Sequence, residues 1–249
     1  MHARPLFMLL LSAIVSGCGT ADDAGRSAGA STDGAAGDSG AAGADARAGR
    51  TPGTAGRGPR VVFVGTSLTA GLGLSTPDES FPARLQALAD SAGVPARMVN
   101  AGVSGETSAG GLRRVGWVVS DTVDVLVLEL GANDGLRGLD PARLEANLEA
   151  IIDTTRAHWP TVEVVLVGME APPNLGARYT AAFHKVFPRV AEERSTALVP
   201  FLLAGVGGDR ALNQGDGIHP TAAGHEILAH NVWPVLEPAL RRAAARRSR

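Results

Sequence analysis

Arg60-Val61-Val62-Phe63-Val64-Gly65-Thr66-Ser67-Leu68 is the stretch on which the fold turns. Four apolar residues in a row, with no polar residue alternating between them, fit a strand covered on both faces. Gly65 then permits a tight exit from that strand. The same kind of run returns at Arg97–Asn100, Asp124–Leu130, Val162–Val167 and Ala197–Pro200. Helical spacing fills the gaps. Ser80–Ala92 places Phe81, Leu85 and Leu88 on one stripe, and Leu139–Ala157 does the same with Leu144, Leu148, Ile151 and Ile152. Asp140 is the predicted cap of the latter helix and Pro141 its first residue. Ala177–Glu193 and Thr221–Leu240 complete the set, the last with an expected interruption near Pro234. Buried strands alternating with helices predict an α/β domain, a three-layer α/β/α sandwich around a five-stranded parallel sheet. Such sheets bind ligands at the carboxyl ends of their strands.

Composition narrows the partners. Residues 59–240 carry 13 Lys+Arg against 20 Asp+Glu, so the predicted domain is acidic and no nucleic-acid partner is expected. Residues 241–249 hold five Arg and no acid. They read as a basic tail, most simply a frayed and solvated end. Aromatic residues make up only 4% of the chain, which calls for an aliphatic core.

The amino-terminal part has a different character. Met1–Arg4 is a short basic start, and Pro5–Val15 is an apolar run of signal-peptide length, too short to span a bilayer. Val15-Ser16-Gly17-Cys18 follows and resembles the lipobox of bacterial lipoproteins. Lipidation of Cys18, the single cysteine, would make residues 1–18 a signal peptide and anchor the protein to a membrane of the bacterial cell envelope. Several acyl chains would hold it there, since one alone anchors only marginally. Residues 19–58 lack Val, Ile, Leu, Met, Phe, Trp and Tyr and read as a disordered linker with an r.m.s. reach on the order of 35 Å.

Three blocks carry chemistry, each after a predicted strand or in a loop at the sheet rim. Ser67 follows the first strand, where its Oγ can stand at the rim beside its own N–H. Asn133, in Gly131-Ala132-Asn133-Asp134, can donate its amide to a developing oxyanion. Asp216 and His219, in Asp216-Gly217-Ile218-His219-Pro220, are spaced so that a carboxylate reaches Nδ1 and leaves Nε2 for a serine. Taken singly, each has a plainer reading: a helix cap for Ser67, a left-handed turn for Asn133, a surface turn for the Asp-His pair. In fixed order they form a nucleophile, an oxyanion donor and an acid-base pair, as an acyl-ester hydrolase needs. The glycines of Asn100–Thr107 could bring a further backbone N–H near the reacting centre. His158, His184, His225 and His230 lack partners at ligand spacing, so no metal is expected. Gly65–Gly73 lacks the Lys-Ser/Thr of a phosphate loop.

These residues resemble the SGNH (GDSL-type) hydrolases, and among them the bacterial thioesterase I, lysophospholipase L1 and arylesterase branch. The resemblance covers about residues 60–240. It rests on Gly65-Thr66-Ser67-Leu68, Gly102–Gly105, Gly131–Asp134 and Asp216–His219, in that order. It implies a flavodoxin-like sheet, a Ser67–His219–Asp216 triad and no cofactor. It also implies an oxyanion hole from the N–H groups of Ser67 and Gly105 with the Asn133 amide. Met169–Tyr179 resembles the family's mobile substrate loop, with Met169, Pro172, Pro173, Leu175 and Tyr179 as the acyl-groove residues. A small acyl ester or lipid is the expected substrate, and a monomer the expected state. A carbohydrate or cell-wall O-acetylesterase and a non-catalytic binding module are the alternatives. The family's first block usually reads Gly-Asp-Ser-Leu; here Thr66 stands in place of the Asp. Thr66 offers a weaker acceptor than a carboxylate, which predicts retained but reduced activity.

Overall fold

The computed structural model describes residues 58–248. Residues 1–18 with Cys18, and residues 19–57 of the linker, lie outside the described residues.

Five strands form one sheet: β1 (Arg60–Gly65), β2 (Arg97–Gly102), β3 (Val125–Glu129), β4 (Glu163–Val167) and β5 (Ala197–Val199). All neighbours are parallel and the order is β2-β1-β3-β4-β5. The central strands are the apolar runs of the sequence, and Val61–Val64 and Val125–Leu128 are wholly inaccessible. The chain steps from β1 to one side and from β3 onward to the other. A crevice therefore opens between the carboxyl ends of β1 and β3, the switch point at which such sheets bind ligands.

Among the described residues, seven α-helices accompany the sheet: α1 (Ser67–Ala70), α2 (Phe81–Ser91), α3 (Ser108–Val118), α4 (Ala132–Leu136), α5 (Pro141–His158), α6 (Ala177–Glu193) and α7 (Ala222–Arg247). α2 packs with α7, while α5 packs with α3 and α6. α5 begins as its sequence dictates: Asp140 Oδ1 accepts from Ala142 N at 2.9 Å, Pro141 follows, and the Leu144–Ile152 stripe is buried.

Two elements depart from the sequence reading. α3 lies in a stretch to which the sequence reading assigns no element, because Gly110, Gly111 and Gly116 blur its apolar stripe. Tertiary contacts hold it instead. The Asp134 carboxylate accepts from Ser108 N at 2.8 Å and from Ser108 Oγ at 2.6 Å. Gly111 lets the helix pack closely on Leu130, the residue after β3, since a Cβ there would lie 2.4 Å from Leu130 Cδ1. The second departure is α7, which continues through Pro234 and Pro238 to Arg247 without the expected interruption. The basic end is thus helical and paired. Arg242 and Arg246 bind Glu163 at 2.9 and 2.6 Å, and Arg247 binds Asp124 at 2.8 Å. Asp124 also accepts from Arg60 N at 2.7 Å, so one carboxylate at the amino edge of the sheet holds both the first strand and the last helix.

Candidate active site

The carboxyl edge of the sheet brings the three blocks together. Ser67 leaves β1 as the first residue of α1, and its Oγ lies 2.9 Å from His219 Nε2. His219 Nδ1 lies 2.6 Å from Asp216 Oδ2. The other carboxylate oxygen accepts from the backbone N–H of Ile218 and His219, at 3.0 and 3.1 Å. The bond from His219 and these two N–H groups hold the Asp216 carboxyl down at about 2. Asp216 is therefore ionised at neutral pH and favours the tautomer with the proton on Nδ1, leaving the Nε2 lone pair for Ser67.

Gln214 ties the loop that carries His219 to the segment that follows Ser67. Its Nε2 donates to Leu72 O at 2.8 Å and to Pro220 O at 2.9 Å, and its backbone N–H donates to His219 O at 2.7 Å. Asn133 is the second residue of α4, just after β3, and its Nδ2 donates to Glu106 O at 3.0 Å. An amide has two N–H donors, so the second remains for a ligand. Gly105 O accepts from Arg137 Nη2 at 2.9 Å, which fixes the adjoining peptides. Ser67, Gly105, Asn133 and His219 all line one cavity.

Beside Ser67 lies a buried acid. Glu129, at the end of β3, pairs in register with Gly65 and is 1% exposed. Its carboxyl accepts from Thr66 N at 2.9 Å, from Thr69 Oγ1 at 2.7 Å and from Thr66 Oγ1 at 3.1 Å. Burial pushes Glu129 up to about 7, against the opposing pull of these donors. Gly65 has to be glycine: a Cβ would lie 2.0 Å from Thr69 Oγ1 and 2.7 Å from Glu129 Oε2. Thr66 Oγ1 also accepts from Leu68 N at 3.3 Å, so the threonine caps α1 while it binds the acid.

The cavity has a volume of about 680 Å³ and is walled mainly by apolar groups. Met169, Pro172 and Pro173 line it, as the sequence suggested. Leu175 and Tyr179 stand outside it. Tyr179 Oη donates to Leu139 O at 2.7 Å, which commits the ring to holding the α4–α5 connection. Leu72, Leu136, Phe201, Leu203 and Ile218 also line it, and the sequence reading missed them. Phe201-Leu202-Leu203 just after a strand was the available signal. Glu129 had a clearer one, as a lone acid in an otherwise apolar strand.

His225 is buried beside this region and does not line the cavity. Its Nδ1 accepts from Phe81 N at 3.1 Å, satisfying an N–H at the start of α2. Burial, with the nearby Arg84 charge, lowers it to about 4. Among the described residues no group of three His, Cys, Asp or Glu side chains could hold a metal ion.

A parallel sheet of this order, with a linked Ser, His and Asp at its carboxyl edge, is the framework of a serine hydrolase. Residues 63–227 match the model of the GDSL-like Lipase/Acylhydrolase family. Esterase TesA of Pseudomonas aeruginosa is 46% identical over 181 residues, covering 72% of this chain and 89% of that one. Thioesterase 1/protease 1/lysophospholipase L1 of Escherichia coli K12 is 34% identical over 179 residues, or 72% of this chain and 83% of that one. The crystal structure of TesA aligns with a TM-score of 0.69 at 44% identity, covering 73% of this chain and 99% of that one. The chain belongs to the GDSL-like lipase/acylhydrolase family and is a serine esterase.

Proposed function

We propose that Ser67, His219 and Asp216 hydrolyse acyl esters or thioesters, lysophospholipids among them, through a covalent acyl-enzyme. The observation that carries this reading is the apolar cavity of about 680 Å³ that opens on Ser67 and His219. That volume is typical of a small-molecule site and far exceeds what an acetyl group fills. His219 Nε2 takes the Ser67 proton as Oγ forms its bond to the acyl carbon. The carbonyl oxygen becomes an oxyanion held by Ser67 N–H, Gly105 N–H and the free N–H of Asn133. The ester bond then breaks, and His219 passes its proton to the leaving alcohol or thiol. Water repeats the sequence: His219 takes its proton, hydroxide adds to the acyl carbon, and Ser67 Oγ leaves with the proton returned. Asp216 keeps the ring oriented and stabilises its charged form.

The names of the relatives, an esterase and a thioesterase/lysophospholipase, support the same substrate range. The apolar lining weighs against a carbohydrate O-acetylesterase, and the closed Ser-His-Asp geometry weighs against a binding module. The test is a p-nitrophenyl ester series from acetate to palmitate, with Ser67→Ala as reference. Ser67-dependent turnover with a maximum beyond acetate is expected. A maximum at acetate would refute the acyl-cavity reading, and turnover independent of Ser67 would refute the triad. We further propose that Cys18 is lipidated and holds the enzyme at a membrane of the cell envelope. Its support is the lipobox-like Val15–Cys18 run after an apolar signal-length segment. Incorporation of a palmitate analogue by the native chain, absent from Cys18→Ser, is the expected result.

A further inference from the structure

We propose that Glu129 is a positioning residue for the nucleophile turn: its carboxyl group clamps Thr66 and Thr69 on either side of Ser67 and so fixes the direction of the Ser67 Oγ and N–H. This rests on the catalytic reading of Ser67 above. Glu129 touches no reacting atom in that mechanism.

The argument begins with cost. A carboxyl buried in an aliphatic strand loses its hydration, and an apolar residue of similar size would be cheaper there. Among the described residues its partners are one backbone N–H and two hydroxyls, all within three residues of one another. They belong to residues 66 and 69, so the clamp spans the nucleophile and includes nothing else. Register makes this possible, because Gly65 pairs with Glu129 and its missing Cβ leaves the carboxyl free to reach the turn.

The clamp also holds in either protonation state. Oε2 accepts from Thr66 N–H and Thr69 Oγ1 whether or not the group is ionised. Oε1 lies 3.1 Å from Thr66 Oγ1. When ionised it accepts from that hydroxyl; when protonated it donates to it, and the hydroxyl turns about its C–O bond. Burial brings Glu129 to about 7, so both states are populated near neutrality. A glutamine copies the protonated form, with one oxygen for the two donors and an NH2 facing Thr66 Oγ1. A leucine fills the space and supplies no acceptor.

The experiment compares the full chain with Glu129→Gln, Glu129→Leu, Thr69→Val and Ser67→Ala on p-nitrophenyl butyrate, recording kcat, KM and the pH profile. Glu129→Gln is expected to keep kcat within about threefold, with KM and profile unchanged. Glu129→Leu should lose about 100-fold in kcat with KM within about twofold. Thr69→Val, which removes one donor with little change of shape, should lose severalfold in kcat. If Glu129→Leu does not fold, the glutamine and valine variants still decide. A glutamine variant as damaged as the leucine one would overturn the clamp, because charge and not acceptor geometry would then matter. A valine or folded leucine variant with wild-type kcat, or losses confined to KM, would overturn it too. Absence of Ser67-dependent turnover in the unmodified chain would instead remove the catalytic reading, and the clamp with it.

Discussion

Thr66 lies 3.1 Å through its Oγ1 from both oxygens of Glu129 and caps α1 through Leu68 N. The acceptor that an aspartate at 66 would add is thus already present, supplied from β3. Thr66→Asp is not expected to raise turnover. It sets two carboxyls against each other in a buried site, where they must share a proton. The variant should fold and hydrolyse esters near neutrality, then lose kcat relative to the unmodified chain at higher pH as that proton leaves. A kcat–pH curve identical to that of the unmodified chain would contradict this. Asn133→Ala removes the proposed oxyanion donor and should lower kcat by about 100- to 1000-fold with a smaller change in KM. Steady-state kinetics on one ester decide it, and a tenfold loss or less would take Asn133 out of the oxyanion hole.

At the scale of elements, the fold was legible wherever local pattern and tertiary need agreed. α5 carries its own cap, its own proline and its own stripe, and it forms where they place it. The strands β1 and β3 announce themselves as apolar runs because both faces are covered. α3 was not legible, since three glycines thin its apolar stripe and part of its support comes from Asp134, 26 residues beyond Ser108 in the chain, beside its own Thr107 cap. The unbroken course of α7 past Pro234 was hidden for a related reason. Its last turns are held by Glu163 and Asp124, which propensity does not see. In the site, Ser67, Asn133, Asp216 and His219 were legible because their spacing is short and their chemistry specific. Much of the cavity wall was not, because Leu72, Leu136 and Phe201 come from three separate segments of the chain, a turn, the end of α4 and the exit of β5. Tyr179 shows the same limit, as its hydroxyl serves the Leu139 carbonyl instead of a substrate. Tyr179→Phe should therefore lower stability by about 1 kcal/mol, measured by urea unfolding. A variant as stable as the parent would show that this bond contributes nothing.

Over the whole molecule, two buried groups set opposing pH dependences. Glu129 is raised from 4.5 to about 7, so the stability it contributes is fully present below 4.5 and is lost as pH rises through 7. His225 is lowered from 6.5 to about 4, so its contribution is present above 6.5 and is lost as pH falls through 4. Between 4.5 and 6.5 the two slopes cancel. Glu129→Gln should unmask the histidine, and stability should then fall by about 1.4 kcal/mol for each pH unit descended in that window. Urea unfolding at three pH values tests it, and a flat response in the variant would rule it out. The Asp124 carboxylate has a consequence of another kind. It binds Arg60 N at the start of β1 and Arg247 near the end of α7, on the sheet edge opposite Ser67. The two termini of the folded domain therefore leave side by side, with β1, about 20 Å long, between them and the mouth of the cavity. A short peptide could splice them into a circular permutant, and a carrier protein or solid support could be attached at either one without obstructing the entry of substrate.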